Sequence, residues 1–398
     1  MPLVICMNKS LLVLAASLYQ VPFIQRAKSL GFRVITLDNV PDNPGHALAD
    51  RAYDVDTTDI SGVVAVAQKE RVTGVLAACT DVALFAAAAV AETMGLPGPS
   101  RVAVETVCDK IAFRNWQKIQ DFPSPETIAP TMRTDGIFSR GWWIIKPDRS
   151  SGSKGIFIVR SEAELQARLQ ESLCFSPNSR VILEQFLSGR QISCEGILAD
   201  GRIAEAWITD RQVPDPPYVV TTGHHMPTRL TDSQQAAVLT AISEIWHRLG
   251  VTDGPFDCDA VVDDRNVFIL EMTPRVGGNS ISRLLKTAAG FDIIDYAVRY
   301  AVGESVVFTG KGDIRPAGVC ILGVSRSGLL SFRESELARL SDEPWVDYLK
   351  IDRAPGQQVE PFINGRHRVG EAIVLGRDRE DVDARIQELK DRLKLRAE

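Results

Sequence analysis

The sequence predicts a multidomain protein that opens with an α/β domain and continues in α+β segments. Two observations support this prediction. The chain has 398 residues, which is too long for one ordinary hydrophobic core. Strand and helix patterns alternate as far as Met94, whereas prolines and short extended pieces follow from Pro97 onward. A change of texture of this kind marks the boundary between two domains.

The amino-terminal alternation predicts a parallel sheet with helices on both faces. Strands are predicted at Ser10–Ala15, Arg33–Leu37, Ala52–Val55 and Gly74–Ala78, and helices at Val21–Leu30, Ser61–Glu70 and Asp81–Met94. The first strand-to-helix turn, Ala15-Ala16-Ser17, lacks the Gly-x-Gly-x-x-Gly fingerprint of dinucleotide-binding proteins. A nicotinamide site is therefore disfavoured.

Four units are predicted along the chain, at residues 1–98, 99–190, 191–312 and 313–398. The second unit is a small lid with strands at Trp142–Pro147 and Gly155–Arg160. The third begins with the strand Gln191–Ala199 and a polar connection at Asp210–Leu230. It continues with a capped helix at Asp232–Leu249, strands at Phe256–Val262 and Val267–Met272, and a helix at Ser280–Ala289. The tail adds strands at Val319–Val324 and Arg368–Leu375 and a helix at Arg379–Leu395.

Composition excludes several classes of partner. The formal net charge is -6 and 24% of residues are charged, so the chain has no basic footprint for nucleic acid and no polybasic membrane patch. No apolar run approaches the length that spans a bilayer. The seven cysteines form no Cys-x-x-Cys pair, which predicts reduced thiols in a cytoplasmic protein.

A loop of small residues joins two predicted strands of the lid. Lys146 ends the first strand, and the residues Ser150, Ser151, Gly152, Ser153, Lys154 and Gly155 lead into the second. Small residues let backbone N–H groups approach polyphosphate oxygens, while Lys146 and Lys154 can neutralise phosphate charge. Taken alone, such a loop is more often a flexible hairpin, and it is not a Walker loop.

A pair of carboxylates is predicted on a later hairpin. Strand alternation places Asp257 and Asp259 on one face, and Glu271 on one face with Ile269. If residues 264–266 form a three-residue loop with Asn266 in a left-handed conformation, Asp259 and Glu271 become direct cross-strand neighbours. Adjacent carboxylates repel each other unless a cation lies between them, and hard oxygen ligands suit Mg²⁺.

A basic segment containing glycines follows this hairpin at once and favours a cation site over two ordinary surface acids. Arg275 lies just past Glu271, where a guanidinium could hold a phosphoryl group or an oxyanion. Gly277, Gly278 and Asn279 open the next predicted helix, so their N–H groups form a natural anion site.

These signals, in this order, resemble the ATP-grasp superfamily over roughly residues 1–310. The resemblance implies an ATP-grasp fold with a Rossmann-like amino-terminal domain, a small lid domain and a carboxy-terminal α+β domain. Lys110 and Lys146 match the two nucleotide lysines of the superfamily, and residues 150–155 match its flexible loop. Residues 182–191 match the hinge of the superfamily. There, Glu184 and the backbone of Gln185, Phe186 and Leu187 would bracket adenine. Asp259 and Glu271 match the metal carboxylates, and Arg275 matches the arginine that follows them.

Two positions depart from the superfamily pattern. Gln191 stands where a carboxylate usually holds the ribose, which implies weaker ATP binding. Thr273 stands where an asparagine usually completes the metal site, so whether one or two Mg²⁺ ions bind stays open.

The segments 223–230, 274–278 and 368–374 resemble the L-amino acid ligase branch of the superfamily. That branch joins a carboxylate to an amine through an acyl phosphate and releases ADP and phosphate. By the same resemblance, one of His224 and His225 lines the substrate cleft, beside Arg275, Gly277, Gly278 and Asn279. Arg275, Lys146 and Gly278 would be catalytic. Homodimerisation would be consistent with the resemblance, although no residue pattern requires it. A carboxylating synthetase of purine biosynthesis and a non-catalytic ATP-binding regulator remain as alternatives.

Overall fold

A computed structural model describes residues 9–129, 136–306 and 312–398. Its amino-terminal part contains β1 (Ser10–Leu14), α1 (Val21–Ser29), β2 (Arg33–Asp38), β3 (Arg51–Asp54), α2 (Ile60–Glu70), β4 (Gly74–Ala77) and α3 (Leu84–Met94). The strands are parallel in the order β3-β2-β1-β4. Leu12 packs with α2 and α3 on one face, while Leu11 packs with α1 on the other. The prediction of a parallel sheet covered on both faces is confirmed.

A small antiparallel sheet forms the lid. The elements of this region are α4 (Arg101–Val107), α5 (Lys110–Ile119), β5 (Thr127–Ile128), β6 (Trp143–Pro147), β7 (Phe157–Val159), α6 (Glu162–Leu173) and β8 (Val181–Gln185). The strand order is β5-β8-β6-β7. Trp143, Ile145 and Leu165 fill the core between the sheet and α6. The side chain of Asp109 caps α5 by accepting a hydrogen bond from Ala112 N, which fixes where Lys110 begins that helix.

Eight of the remaining strands build one large antiparallel sheet in the order β13-β12-β9-β10-β11-β14-β18-β16, and a separate three-stranded sheet has the order β17-β15-β19. The elements are β9 (Arg190–Ala199), β10 (Arg202–Gln212), β11 (Gly223–Met226), α7 (Asp232–Arg248), β12 (Gly254–Val262), β13 (Val267–Thr273), α8 (Ile281–Ala289), α9 (Ile293–Ala301), β14 (Ala317–Leu322), β15 (Gly328–Ser331), α10 (Glu334–Ser341), β16 (Val346–Ile351), β17 (Gln358–Val359), β18 (Gly370–Leu375), α11 (Arg379–Leu393) and β19 (Arg396–Ala397). A capping box of Thr231 and Gln234 starts α7, as the sequence predicts.

The large sheet differs from the sequence prediction in two respects. The segment Asp210–Leu230, predicted as a connection, contains the end of β10 and all of β11. Strand β11 then pairs with β14, so the sheet continues across the predicted boundary at residue 312. Strands β10 and β11 carry polar residues, Arg211 and His224, on the face that lines the site described below. These polar residues hide the usual alternation of apolar and polar residues.

Within the ranges that the structure describes, no helix is long and apolar enough to cross a membrane.

Candidate active site

Asp259 and Glu271 are direct cross-strand partners on β12 and β13, as predicted. The turn and the strand pairing that bring them together differ from the prediction. The turn has four residues, 263–266, because Val262 pairs with Val267. Asp263 Oδ1 holds this turn by accepting from the backbone N of Asn266 at 2.7 Å. The expected three-residue loop, with Asn266 in a left-handed conformation, is therefore wrong.

A β-bulge restores the predicted register. Ala260 pairs with Ile269 and Asp259 pairs with Glu271, so Leu270 is the extra residue. Because the bulge shifts the alternation by one, Glu271 and Ile269 lie on opposite faces and not on the same face. Arg114 Nη2 donates to Leu270 O at 2.7 Å, and Gln117 Nε2 donates to Ile269 O at 2.9 Å. Helix α5 thus holds the irregularity that turns Glu271 toward Asp259.

The carboxylate pair has cationic and hydroxyl partners. Lys110 Nζ lies 3.0 Å from Glu271 Oε1. Ser193 donates to Asp259 Oδ1, and Arg211 Nη1 lies 3.7 Å from Asp259 Oδ2. Burial alone would raise the pKa of Glu271, but Lys110 and Lys146 hold it below the usual value. Glu271 therefore stays ionised, and two adjacent carboxyl groups suit a hard cation.

Magnesium fits this pair only with ligands from another source. Among the described residues, no group of three or more His, Cys, Asp and Glu side chains is arranged to hold a metal ion by itself. Two carboxylates would thus leave positions for phosphate oxygens. Thr273 lies opposite Asp257, one pair further along the hairpin. Its hydroxyl is buried without a hydrogen-bond partner in the described chain.

A buried ion-pair network holds the second lysine. Lys146 and Arg114 each contact one oxygen of Glu184, with Arg114 Nε 2.8 Å from Oε1. Glu184 is 1% exposed. Burial would raise its pKa, but Arg114 and Lys146 lower it to about 2. Glu184, predicted to bracket adenine, contacts Lys146 and Arg114 through its two oxygens. It also lines the adjoining cavity, together with the hinge residues Gln185, Phe186, Leu187 and Gln191.

The loop of small residues folds over the same cavity. Gly152, Ser153 and Gly155 all have positive φ values, between 57° and 71°, which glycine adopts without strain. Lys110 Nζ donates to Ser150 O at 3.3 Å. From the carboxy-terminal part of the chain, Gly365 N donates to Gly152 O at 2.9 Å. The loop is therefore held by Lys110 at the start of α5 and by Gly365 from outside the lid.

Arg275 is committed to two carboxylates. Its Nη2 lies 2.6 Å from Asp81 Oδ1, and its Nη1 contacts Asp257 Oδ2. Burial opposes the charge, but Asp81 and Asp257 raise the pKa of Arg275 well above its ordinary value. The predicted oxyanion role therefore requires the guanidinium to contact the substrate while it keeps its contacts with Asp81 and Asp257.

The segment after Arg275 enters α8 close to another buried acid. Gly277 N donates to Glu195 Oε1 at 2.9 Å, so this N–H is not free for an anion. Gly278 and Asn279 line the cavity, and Asn279 has a φ of 53°. A Cβ at Gly277 would lie 1.9 Å from Glu195 Oε1. Only glycine allows this close approach.

The two histidines face opposite sides of the large sheet. His224 lines the cavity, and its Nδ1 lies 3.1 Å from Thr209 Oγ1. Burial, assisted by Arg211, lowers the pKa of His224 to about 3. His225 Nδ1 instead lies 2.8 Å from Arg379 Nη2 on α11. Of the pair, His224 is the residue that lines the cavity, and it is neutral there.

A cavity of about 820 Å³ is lined by many of these groups, including Lys146, Asp259, Glu271, Arg275 and His224. Its lining comes from the loops after β1 and β4, the lid, the large sheet and the carboxy-terminal part. Sequence reasoning missed Asp81, Glu195 and Arg368 among these lining residues. A detectable signal existed for Glu195, because it is a lone acid in the apolar run 192–198 of β9. The sequence predicts Asp81 at the start of α3, whereas that helix begins later, at Leu84.

The geometry agrees with the comparisons with known proteins. Residues 142–283 match the ATP-grasp domain, and residues 333–398 match the L-amino acid ligase C-terminal domain 2. The chain therefore contains an ATP-grasp domain. Its carboxy-terminal domain is of the type found in the L-amino acid ligase branch.

Individual relatives are distant. The uncharacterized protein y4rH of Sinorhizobium fredii is 24% identical over 310 residues, which cover 75% of this chain and 63% of that protein. The chain thus spans less than two thirds of this relative. An L-amino acid ligase structure from Bacillus licheniformis superposes with a TM-score of 0.83 at 18% identity, covering 98% of both chains. The N5-carboxyaminoimidazole ribonucleotide synthetase of Thermotoga maritima superposes with a TM-score of 0.73 at 17% identity, covering 98% of this chain and 100% of that one. These superpositions establish the fold.

Proposed function

We propose that the protein is an ATP-dependent carboxylate–amine ligase, which forms an amide or peptide bond and releases ADP and phosphate. Its substrates would be small molecules resembling amino acids. The observation that carries the proposal is that Asp259 and Glu271 oppose each other at a cavity where Lys110 pairs with Glu271 and Lys146, which pairs with Glu184, adds its positive charge nearby. Lysines and paired acids in one enclosed space suit polyphosphate and its counter-ion.

Two sets of residues would act in the phosphoryl transfer, one on the phosphates and one on the metal ion. Lys110, Lys146 and the backbone of the loop 150–155 would hold the phosphates in line for attack by a carboxylate. Asp259 and Glu271 would hold Mg²⁺, which neutralises charge that develops on the transferring phosphoryl group. Contacts of the loop with residues outside the lid, such as Gly365, would exclude water that could hydrolyse an acyl phosphate.

The second half-reaction joins the amine to the activated carboxyl group. The lone pair of the deprotonated amine attacks the acyl carbon and the C–N bond forms. The C–O bond to phosphate breaks with the electron pair leaving on phosphate, and the departing phosphate takes the proton that the nitrogen loses. Arg275 and the N–H groups near Gly278 would stabilise the oxyanion between these events. Neutral His224 can hold a substrate oxygen or N–H group without adding charge.

The test measures ADP and phosphate release from Mg-ATP across single and paired amino acids, with mass spectrometry of the products. Release that needs both a carboxylate and an amine, with a matching condensed mass, is the expected result. Release that needs bicarbonate and aminoimidazole ribonucleotide would assign the protein to the purine carboxylating type instead. ATP binding without turnover on any substrate would favour the regulator.

The metal assignment has its own variant. Glu271→Gln should lose Mg²⁺-supported turnover by at least about 100-fold, since one anionic ligand of the phosphoryl-transfer site is removed. Asp263→Asn is the matched control, because Asp263 caps the turn of the same hairpin and accepts backbone hydrogen bonds there. Near-wild-type turnover in the Glu271→Gln variant would refute the assignment of Glu271 as a metal ligand.

A further inference from the structure

The face of the large sheet that lines the cavity carries two rows of polar residues. The first row contains Ser193, Asp259 and Glu271, which are aligned across β9, β12 and β13. The second row contains Glu195, Asp257 and Thr273, two residues further along each strand. Strand geometry separates the rows by about 7 Å. The first row is the proposed metal site. The carboxyl groups of the second row have no assigned role in the proposed reaction.

The second row holds more negative charge than its cationic partners balance. Asp257 and Asp81 share the guanidinium of Arg275. Glu195 is 0% exposed, and its Oε1 accepts from Gly277 N. Its other oxygen, Oε2, accepts from no donor among the described residues, and the Glu195 carboxyl lies within hydrogen-bonding reach of the Asp257 carboxyl. An unpaired buried oxygen costs free energy unless a donor reaches it.

The carboxyl group of Glu195 responds to this crowding. Burial and the neighbouring Asp257 carboxylate raise the pKa of Glu195 well above its usual value. Both groups line the cavity. A second positive group placed between them would relieve the repulsion and supply the missing donor.

We propose that Glu195, together with Asp257, binds the ammonium group of the amine substrate. An ammonium group has three donors and one compact charge, so it can satisfy Glu195 Oε2 and still reach Asp257. A second Mg²⁺ fits this position less well, because the guanidinium of Arg275 already contacts Asp257 and would repel a dication. This inference rests on the proposed ligase function.

The position suits the nucleophile of that reaction once the ammonium group has given one proton to the Glu195 carboxylate, because the nitrogen lone pair is then free to attack. An activated carboxyl group would lie between the metal row and the acid row. The spacing of about 7 Å accommodates that group and the approach of an attacking nitrogen, which is about 3–3.5 Å from its target. Arg275 lies beside the acid row, next to the carbonyl oxygen of such a group. Glu195 therefore selects amines that arrive as cations.

The test uses Glu195→Gln, whose amide oxygen can still accept from Gly277 N. Two acceptors are compared with the same activated carboxylate: glycinamide, which has an ammonium group and no carboxylate, and hydroxylamine, which is uncharged at neutral pH. The KM for glycinamide should rise about 10- to 100-fold, as expected for a lost hydrogen bond to a charged group. Hydroxamate formation from hydroxylamine and the KM for Mg²⁺ should stay within about twofold, because neither depends on an ammonium site.

Controls separate the possible failures. Glu205→Gln changes a buried carboxyl on β10 that is not among the cavity-lining residues, and it should leave both reactions unchanged. An unchanged KM for glycinamide in the Glu195→Gln variant would overturn the inference, as would a parallel loss of both acceptor reactions or a shift in the KM for Mg²⁺. Wild-type protein without ADP release on any substrate would instead contradict the ligase function itself.

A second measurement needs no variant and decides the case if the Glu195→Gln variant fails to fold. Calorimetry compares glycinamide with glycolamide, which carries a hydroxyl in place of the ammonium group, on wild-type protein with Mg-ADP. Glycinamide should bind at least about tenfold more tightly. Equal affinity, or no binding of glycinamide, would refute the ammonium site.

Discussion

Replacing Arg114 with methionine tests whether one buried guanidinium supports both the lid and the metal site. Arg114 is 3% exposed. It donates to Glu184 at 2.8 Å, to Gln117 Oε1 at 2.8 Å and to Leu270 O at 2.7 Å. Methionine fills much of the same volume but supplies none of these donors. Glu184 would be left with Lys146 as its remaining ionic partner.

The expected loss follows from that geometry. Removing one partner of a buried ion pair costs about 3–5 kcal/mol of unfolding free energy. Urea denaturation followed by circular dichroism measures the loss at pH 7. The matched control is Arg339→Met, because Arg339 is 72% exposed and pairs with Glu336 on the protein surface. Exposed pairs of this kind contribute about 0–1 kcal/mol.

The same variant should also affect catalysis while it is folded. Without the bond to Leu270 O, the bulge that turns Glu271 toward Asp259 loses a tether. Turnover measured well below the unfolding midpoint should therefore fall, and the KM for Mg²⁺ should rise. A stability loss equal to that of the Arg339→Met control would refute the reasoning. So would full turnover at unchanged Mg²⁺ dependence.

Two further predictions concern the cavity lining. The folded state holds the pKa of His224 at about 3, whereas an unfolded histidine titrates at ~6.5. The unfolded state thus binds the proton first, and stability should fall as the pH drops from about 6.5 toward 3. In His224→Asn this acid-side slope of unfolding free energy, measured by urea titration, should be shallower; an identical slope would contradict the assignment. Gly277→Ala places a Cβ 1.9 Å from Glu195 Oε1, so turnover should fall at least about tenfold while calorimetric Mg-ADP affinity persists. Unchanged turnover would show that the glycine is dispensable.

The pairing of Asp259 with Glu271 was predictable, but only because two errors cancelled. The expected loop was one residue too short, and the expected strands had no bulge. Local pattern cannot reveal the bulge, since it is stabilised by Arg114 and Gln117 on a helix more than 150 residues earlier. Order and spacing of motifs, by contrast, are local, and they predicted the ATP-grasp fold.

The acid row shows the same limit. Alternation put Asp257 on the face of Asp259, yet nothing in the sequence of β12 indicates that Glu195 would be its neighbour. Arg275 was recognised from its place after Glu271, whereas its partner Asp81 comes from the loop after β4. Long-range strand pairing and domain docking decide such contacts. A single amino-acid sequence does not reveal these contacts.

The hydrogen bond between Gly365 N and Gly152 O determines which kinds of sequence change the loop of small residues, 150–155, tolerates. Both partners are backbone groups, so most side-chain replacements nearby would leave the donor and the acceptor in place. The bond depends instead on how much chain lies between neighbouring strands and these two residues. Insertions or deletions within 352–368 would therefore misalign the loop even when every residue that touches substrate is intact. Length, more than chemical identity, is the constrained property of this segment.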